Sequence, residues 1–258
     1  SKAQQFEILN FPSDLKCERA ALNNVSVFKD KIYLATDGCG VLFSTDSLKT
    51  LKNISTGLRE LLVTDMTVYK GELYCCTKFS GVYRLQGEQW VLSSKGIKDT
   101  TIWSFAVLND KLFVSTEDHG LFSSSDGRNW QAVVFEGGAN NSKLMTYGTV
   151  FFASTALLSY KNKLFAGTGN GKVHISFDEG VSWKERKIPG VEGGIRSIYV
   201  DDEQIICCVL GWGVYRSKDG GYHWEHIGNA KELSYASYVT KLDGKIWVTS
   251  YYNGGIFV

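Results

Sequence analysis

Only 2 prolines occur in the 258 residues, and no apolar run approaches the roughly 20 residues a helix needs to cross a bilayer. A helical membrane span is therefore excluded. Charge of one sign is also missing: 28 Lys and Arg stand against 27 Asp and Glu, for a net charge of +1. A general nucleic-acid binder needs clustered excess Lys and Arg to neutralise phosphates, and no such cluster is found, so that class is set aside. The 4 histidines show no metal-ligand spacing, and neither a metal nor a cofactor is expected. The chain does not start with Met and carries no signal-peptide pattern, and is read as a mature or trimmed form. What is present is 43% hydrophobic and 13% aromatic residues with 27 glycines, enough for a proper core and incompatible with disorder.

No stretch carries a helical period, but one unit recurs along the whole chain. Its copies read KIYLATDGCGVLF from Lys31, ELYCCTKFSGVYR from Glu72, KLFVSTEDHGLFS from Lys111, KLFAGTGNGKVHI from Lys163, QIICCVLGWGVYR from Gln204 and KIWVTSYYNGGIF from Lys245. The starts lie about 40 residues apart except before the fourth copy, where about a dozen more are inserted, around 137–150. A strand and a two-residue turn precede each copy (VFKDK, VYKGE, VLNDK, SYKNK, VDDEQ, KLDGK), and an outer strand near a Trp follows most of them. A sheet of this size cannot bury both faces alone, so the units must stack. The pattern predicts an all-β, six-bladed β-propeller of four-stranded antiparallel blades, one domain over 1–258. The last copy stops at GGIFV without an outer strand. Phe6–Leu9 is expected to supply it and close the ring.

At the turn between third and fourth strands stand SFDEGVSW from Ser176 and SKDGGYHW from Ser217, with the shorter SSDGRNW from Ser124. STDSLKTL from Ser44 and LQGEQW ending at Trp90 are degenerate versions. These turns resemble the Asp-box, or BNR, repeat of sialidases, sortilin-type receptors and photosystem II assembly factors. In such a turn Asp accepts backbone N–H bonds, Gly takes positive φ, Ser adds a local hydrogen bond and Trp covers the corner. The resemblance therefore implies scaffold roles for Ser124, Asp126 and Trp130, for Ser176, Asp178, Gly180 and Trp183, and for Ser217, Asp219, Gly221 and Trp224. It also implies that the usual ligand face is the opposite one.

Counting strands outward, the second-to-third loops and the interblade connections share that opposite face. It receives Asp37, Lys78, Glu117, Asp118, His119, Trp212, Tyr251 and Tyr252 from loops, and Trp103 and Arg196 from connections. Exposed aromatics with converging polar groups suit a glycan or a small anionic or peptide ligand, and Asp37, Lys78, Trp103, His119, Arg196, Trp212, Tyr251 and Tyr252 are the candidate contacts. For His119 the alternatives are a solvated loop or a site, and for Trp212, flanked by two glycines, a ligand contact or interblade packing. If the protein is an enzyme, a glycosidase or lyase, Glu117, Asp118, His119 and Arg196 are the catalytic candidates. A sialidase would need an arginine cluster, a Tyr–Glu nucleophile pair and an Asp, and the Arg-Ile-Pro type motif of that family is absent. A third reading is a protein-assembly scaffold.

Cys75 and Cys76, like Cys207 and Cys208, lie side by side in second strands and are read as small buried thiols. Cys17 and Cys39 are open to a disulfide in the closure region. Asn24, Asn53 and Asn140 head N-x-S/T sequons, but Asn24 is expected in an inner strand. A secreted monomer is the expectation, because the propellers it resembles are mostly exported.

Overall fold

Two residues at positive φ in succession mark the repeat's hairpins. Lys29 and Asp30 (48° and 59°), Asn109 and Asp110 (47° and 58°), and Lys161 and Asn162 (44° and 57°) each form such a pair. This is the two-residue turn whose twist matches right-twisted flanking strands, and Asp or Asn in its second position tolerates the left-handed region better than most residues. The fifth copy departs from this: its turn is held by Asp201 Oδ1, which accepts from the Glu203 and Gln204 amides (2.9 and 3.0 Å). The computed structural model of the chain describes residues 21–133, 156–227, 233–242, 244–250 and 256–257. They fall into two compact units, Ser1–Leu92 and Ser93–Val258.

In the first unit, blade one is the antiparallel sheet β1 (Ala21–Phe28), β2 (Lys31–Asp37), β3 (Val41–Ser44) and β4 (Lys52–Asn53). Blade two is β5 (Val63–Tyr69), β6 (Glu72–Thr77), β7 (Gly81–Gln86) and β8 (Gln89–Leu92). Inner strand β1 lies against β5, and the interblade core joins Tyr33, Ala35 and Val41 to Val63, Met66, Leu73, Cys75, Tyr83 and Trp90. Each such fully buried large side chain contributes about 1.5–3 kcal/mol relative to exposure.

The second unit repeats the plan. Blade three is β9 (Ile102–Leu108), β10 (Lys111–Thr116), β11 (Leu121–Ser124) and β12 (Gln131–Ala132); blade four is β13 (Leu157–Tyr160), β14 (Lys163–Gly167), β15 (Lys172–Ser176) and β16 (Lys184–Lys187). Blade five is β17 (Ile195–Val200), β18 (Ile205–Val209), β19 (Gly213–Ser217) and β20 (Glu225–Ile227). The sixth sheet is β21 (Ala236–Leu242), β22 (Lys245–Ser250) and β23 (Ile256–Phe257). Five four-stranded blades thus stand where six were expected; the last sheet has three strands among the described residues. Phe6–Leu9 and the insertion near 137–150 lie outside those residues.

Alternation along one strand serves two cores at once. On β18, Cys207 packs with Ile175, Ile195 and Val209 towards blade four, while its neighbour Cys208 packs with Val214, Ala236 and Val239 towards the sixth sheet. Cys75, Cys76, Cys207 and Cys208 are free and buried, and burial pushes their thiols up. Cys39 is disulfide-bonded, and Cys17 lies outside the described residues. Asn24 sits on β1 with its amide donating to Asp65 Oδ1 (2.7 Å), as suits a strand position rather than a glycan acceptor.

The Ser-x-Asp turns are hydrogen-bonded as scaffold. In each, the serine hydroxyl donates to the aspartate two residues on: Ser124 to Asp126 (2.9 Å), Ser176 to Asp178 (2.8 Å), Ser217 to Asp219 (2.9 Å). The same hydroxyl accepts the amide of Gly127, Gly180 or Gly221. Degenerate STDSLKTL closes identically, through Ser44, Asp46 and the Leu48 amide. Amide and side-chain bonds from Thr50 hold the Asp46 carboxyl down to about 2. The tryptophans divide into two jobs: Trp183 and Trp224 donate within their own turns to Gly180 and Gly221 (2.9 Å each). Trp90 and Trp130 instead donate to Ile54 and Ser93 (2.6 and 2.7 Å), tying outer strands to the connections ahead of their blades.

Candidate functional site

Pairing on the innermost strands skips one residue in five of the sheets. The skipped residues are Asn23, Thr64, Trp103, Arg196 and Ser237, each a β-bulge near the start of its strand. A bulge re-aims the side chain it carries. Two candidates expected in interblade connections, Trp103 and Arg196, therefore sit inside β9 and β17 at equivalent bulge positions. The other three bulges carry small polar residues; Asn23 donates across to the Val63 carbonyl at the start of the next blade (2.8 Å).

Next to the bulges, the second-to-third loops are locked by a threonine the repeat carries at its sixth position. Thr36, Thr77, Thr116 and Thr168 end their strands and donate to the carbonyl four residues on (2.8, 3.1, 2.9 and 3.1 Å). Three of these hydroxyls also accept an amide, from Cys39, Ser80 and His119. The loops are in turn bonded to the interblade connections: Gly40 N to Leu61 O (2.9 Å), Lys78 N to Leu62 O (3.0 Å) and Glu117 N to Thr101 O (3.0 Å). Asp37 bridges Leu62. Loops and connections thus share one end of each blade. In the fifth copy Val209 replaces the threonine, and the loop is held by Leu210 N to Gly194 O (2.9 Å) and Gly211 N to Ser234 O (2.7 Å).

Blade three gathers the densest polar group at that end. Trp103 Nε1 donates to Glu117 Oε2 (2.7 Å). Asp99 Oδ1 accepts from the Thr101 amide (3.0 Å) and its Oδ2 from the Asp118 amide (2.7 Å). The same Oδ2 lies 3.3 Å from His119 Nδ1. Asp99 is 9% exposed at its side chain and His119 47%. Burial pulls the Asp99 carboxyl up, but the Asp118 and Thr101 amides and the His119 ring outweigh it, and the carboxyl titrates below its ordinary value. The carboxylate is therefore anionic at neutral pH and fixes the imidazole that points to solvent. Asp99 is not among the residues the sequence singles out, because its bond to His119 spans 20 residues and has no local signal.

The other candidates are placed separately. Arg196 is half-buried on β17, and the contacts named above bring Glu117, Asp118 and His119 together with Asp99 and Trp103. Trp212 is 43% exposed. Its ring edge packs over Gly193, where a Cβ would meet Cδ1 at 2.4 Å, and its carbonyl lies 3.2 Å from His226 Nε2. Trp212 is thus packed on one side and exposed on the other. Tyr251 and Tyr252 lie outside the described residues. Among the described residues no three His, Cys, Asp or Glu side chains are gathered to hold a metal ion, and no helix is long and apolar enough to cross a membrane.

A family profile described as the DUF6242 β-propeller domain matches residues 63–192. No curated protein sequence matches the chain. Among solved structures, the extracellular domain of BT3049 from B. thetaiotaomicron is similar at TM-score 0.68 and 17% identity, over 95% of this chain and 34% of that one. Virginiamycin B lyase from Staphylococcus aureus matches at TM-score 0.70 and 13% identity, over 92% of this chain and 83% of that one. A GH74 enzyme from Niastella koreensis matches at 0.59 and 17%, over 89% and 35%. The chain spans about a third of the BT3049 domain, and at these identities the likeness is one of fold.

Proposed function

Because the chain belongs to the DUF6242 β-propeller domain family, we propose that it is a non-catalytic recognition module that holds a glycan at the bulge end of its blades. The observation that carries the reading is the blade-three group. Trp103 is a flat apolar surface at a bulge, flanked by Glu117, Asp118 and the Asp99–His119 pair, which offer acceptors and an imidazole to sugar hydroxyls. Three carboxylates against one imidazole favour a neutral sugar over an anion. Arg196 and Trp212 are further contacts in this reading, and Asp37, Lys78, Tyr251 and Tyr252 are kept as proposed contacts of their own blades. The depressed Asp99 carboxyl and the Glu117 carboxylate already bonded to an indole suit hydroxyl binding better than proton donation to a leaving group.

The finer expectations belong to the same proposal. The sheets are closed by Phe6–Leu9, the Ser-x-Asp turns are Asp boxes, and the chain works as a monomer outside the cytoplasm. The disulfide at Cys39 supports the last point. The reading is tested by saturation-transfer NMR with neutral, sialylated and uronic-acid oligosaccharides, recorded at mixing and after a day. Transfer from a neutral sugar that stays intact, lost in Trp103→Ala, supports it. New product resonances abolished by Glu117→Gln or Arg196→Ala overturn it in favour of a glycosidase or lyase; silence at both times overturns it in favour of a protein-assembly role.

A further inference from the structure

At the opposite end of blades four and five, where the Ser-x-Asp turns and first hairpins lie, a groove of about 350 Å³ runs between the two sheets. That is the lower end of the ~300–1,000 Å³ range of ligand pockets. Its floor holds two exposed rings, Phe177 (53%) and Tyr222 (67%). Phe177 fills the variable second position of the blade-four turn, and Lys218 fills the same position in blade five. Lys163 and Lys184 stand over the Phe177 ring, their Nζ atoms 5.1 and 5.2 Å from its centroid. Arg186 lies over Tyr222 at 4.0 Å.

The charge is uncompensated on this side. Among the described residues Lys163, Lys184 and Lys218 have no carboxylate partner, whereas Lys161, across the groove, is paired with Asp202. Arg186 is spent on structure: its Nε donates to the Gly220 carbonyl (3.1 Å). Its stem lies where a Cβ on Gly221 would meet Cγ at 2.8 Å, and Gly221 has φ +90°. The blade-four outer strand thus pins the blade-five turn and sets the wall before any ligand arrives. The far lip is the blade-five hairpin, where Asp202 and Glu203 supply hydroxyl acceptors.

We propose that this groove binds an acidic oligosaccharide, its carboxylate or sulfate groups on Lys163, Lys184 and Lys218 and a pyranose face on Tyr222. The chemistry selects that occupant over an acidic peptide on two counts. Arg186 covers one face of an otherwise exposed phenol ring, and flat aromatic surface beside charge matches a sugar ring carrying an anion. The lip carboxylates Asp202 and Glu203 can accept from sugar hydroxyls, which a polyglutamate side chain does not offer. The site lies on other residues than the blade-three group and does not depend on it.

Isothermal titration of the full chain with a trigalacturonate, a sulfated heparin tetrasaccharide, a neutral trisaccharide (maltotriose) and a hexaglutamate peptide tests the proposal. Binding of at least one acidic sugar is expected, weakened at least tenfold by Lys163→Glu with Lys184→Glu, by Lys218→Glu alone, and by Tyr222→Ala, and falling with added salt. Unchanged melting of Lys218→Glu and Tyr222→Ala shows that these variants fold. Trp103→Ala leaves acidic-sugar binding unchanged, which separates this site from the first. No binding at millimolar concentration, binding indifferent to the charge reversals, or hexaglutamate binding that survives Tyr222→Ala each overturns the proposal.

Discussion

Acidifying the solution from pH 7 to 4.5 is expected to cost the fold about 2–3 kcal/mol through His174 alone. His174 sits on β15, 3% exposed, opposite Ala166 and Glu185 in register. Its Nδ1 is buried without a hydrogen-bond partner. Burial lowers its pKa to about 4, with Glu185 opposing and Lys172 adding to the shift. The unfolded imidazole titrates near its ordinary value of about 6.5. Between these two values the unfolded chain binds the proton and the folded chain does not, so stability from this group is full above about 6.5 and is lost as pH falls towards 4. About two and a half units at 1.36 kcal/mol each bound the loss, and at pH 4.5 most of it is reached. Urea unfolding of wild type and His174→Leu at both pH values isolates the effect, since all carboxylates are common to the two proteins. Leu removes a buried polar atom that makes no bond, so the variant is expected to match or exceed the wild type at pH 7. An equal loss in both proteins, or a His174 ring proton that titrates near 6.5 by NMR, refutes the reasoning.

Removing a turn hydroxyl is expected to act through two bonds at once: Ser176→Ala deprives Asp178 of a donor and the Gly180 amide of its acceptor, for about 1–3 kcal/mol by urea unfolding at pH 7. Trp90→Phe keeps most of the apolar area but strands the Ile54 carbonyl, and a loss of about 1–3 kcal/mol is expected in the same assay. Below pH 4 a second acid step is expected. The amide and side-chain bonds at Asp46, Asp126 and Asp219 hold those carboxyls below their ordinary value. Their contribution is therefore present above the unfolded value near 3.9 and lost as pH falls towards the folded one. Circular dichroism of His174→Leu between pH 4 and 2 reads that step without the histidine.

Repeats, hairpins and turns were legible because each is a local signal written several times. KDK, NDK and KNK place Asp or Asn where the left-handed region is needed, and Ser-x-Asp-x-Gly carries its own hydrogen-bond pattern. The two cysteine pairs were legible through strand alternation alone. The bulges were not: Trp103 and Arg196 share no local motif with Asn23, Thr64 and Ser237, and only the pairing register reveals the skipped residue. Asp99 was missed as the anchor of His119 for the same reason of distance along the chain. The groove between blades four and five was hidden more deeply, since Phe177 and Lys218 occupy a position the repeat leaves free and acquire meaning only when two blades lie side by side.

The account rests most on the blade-three group, and the 7 tryptophans of the chain make it observable. Indole ¹⁵N–¹H spectra, with the Trp103 resonance assigned by Trp103→Phe, would be recorded during titration with neutral oligosaccharides. The account predicts a saturable shift of that resonance with at least one sugar, the sugar itself unchanged after a day. A Trp103 resonance that stays fixed across the panel, or sugar that is consumed, would contradict it.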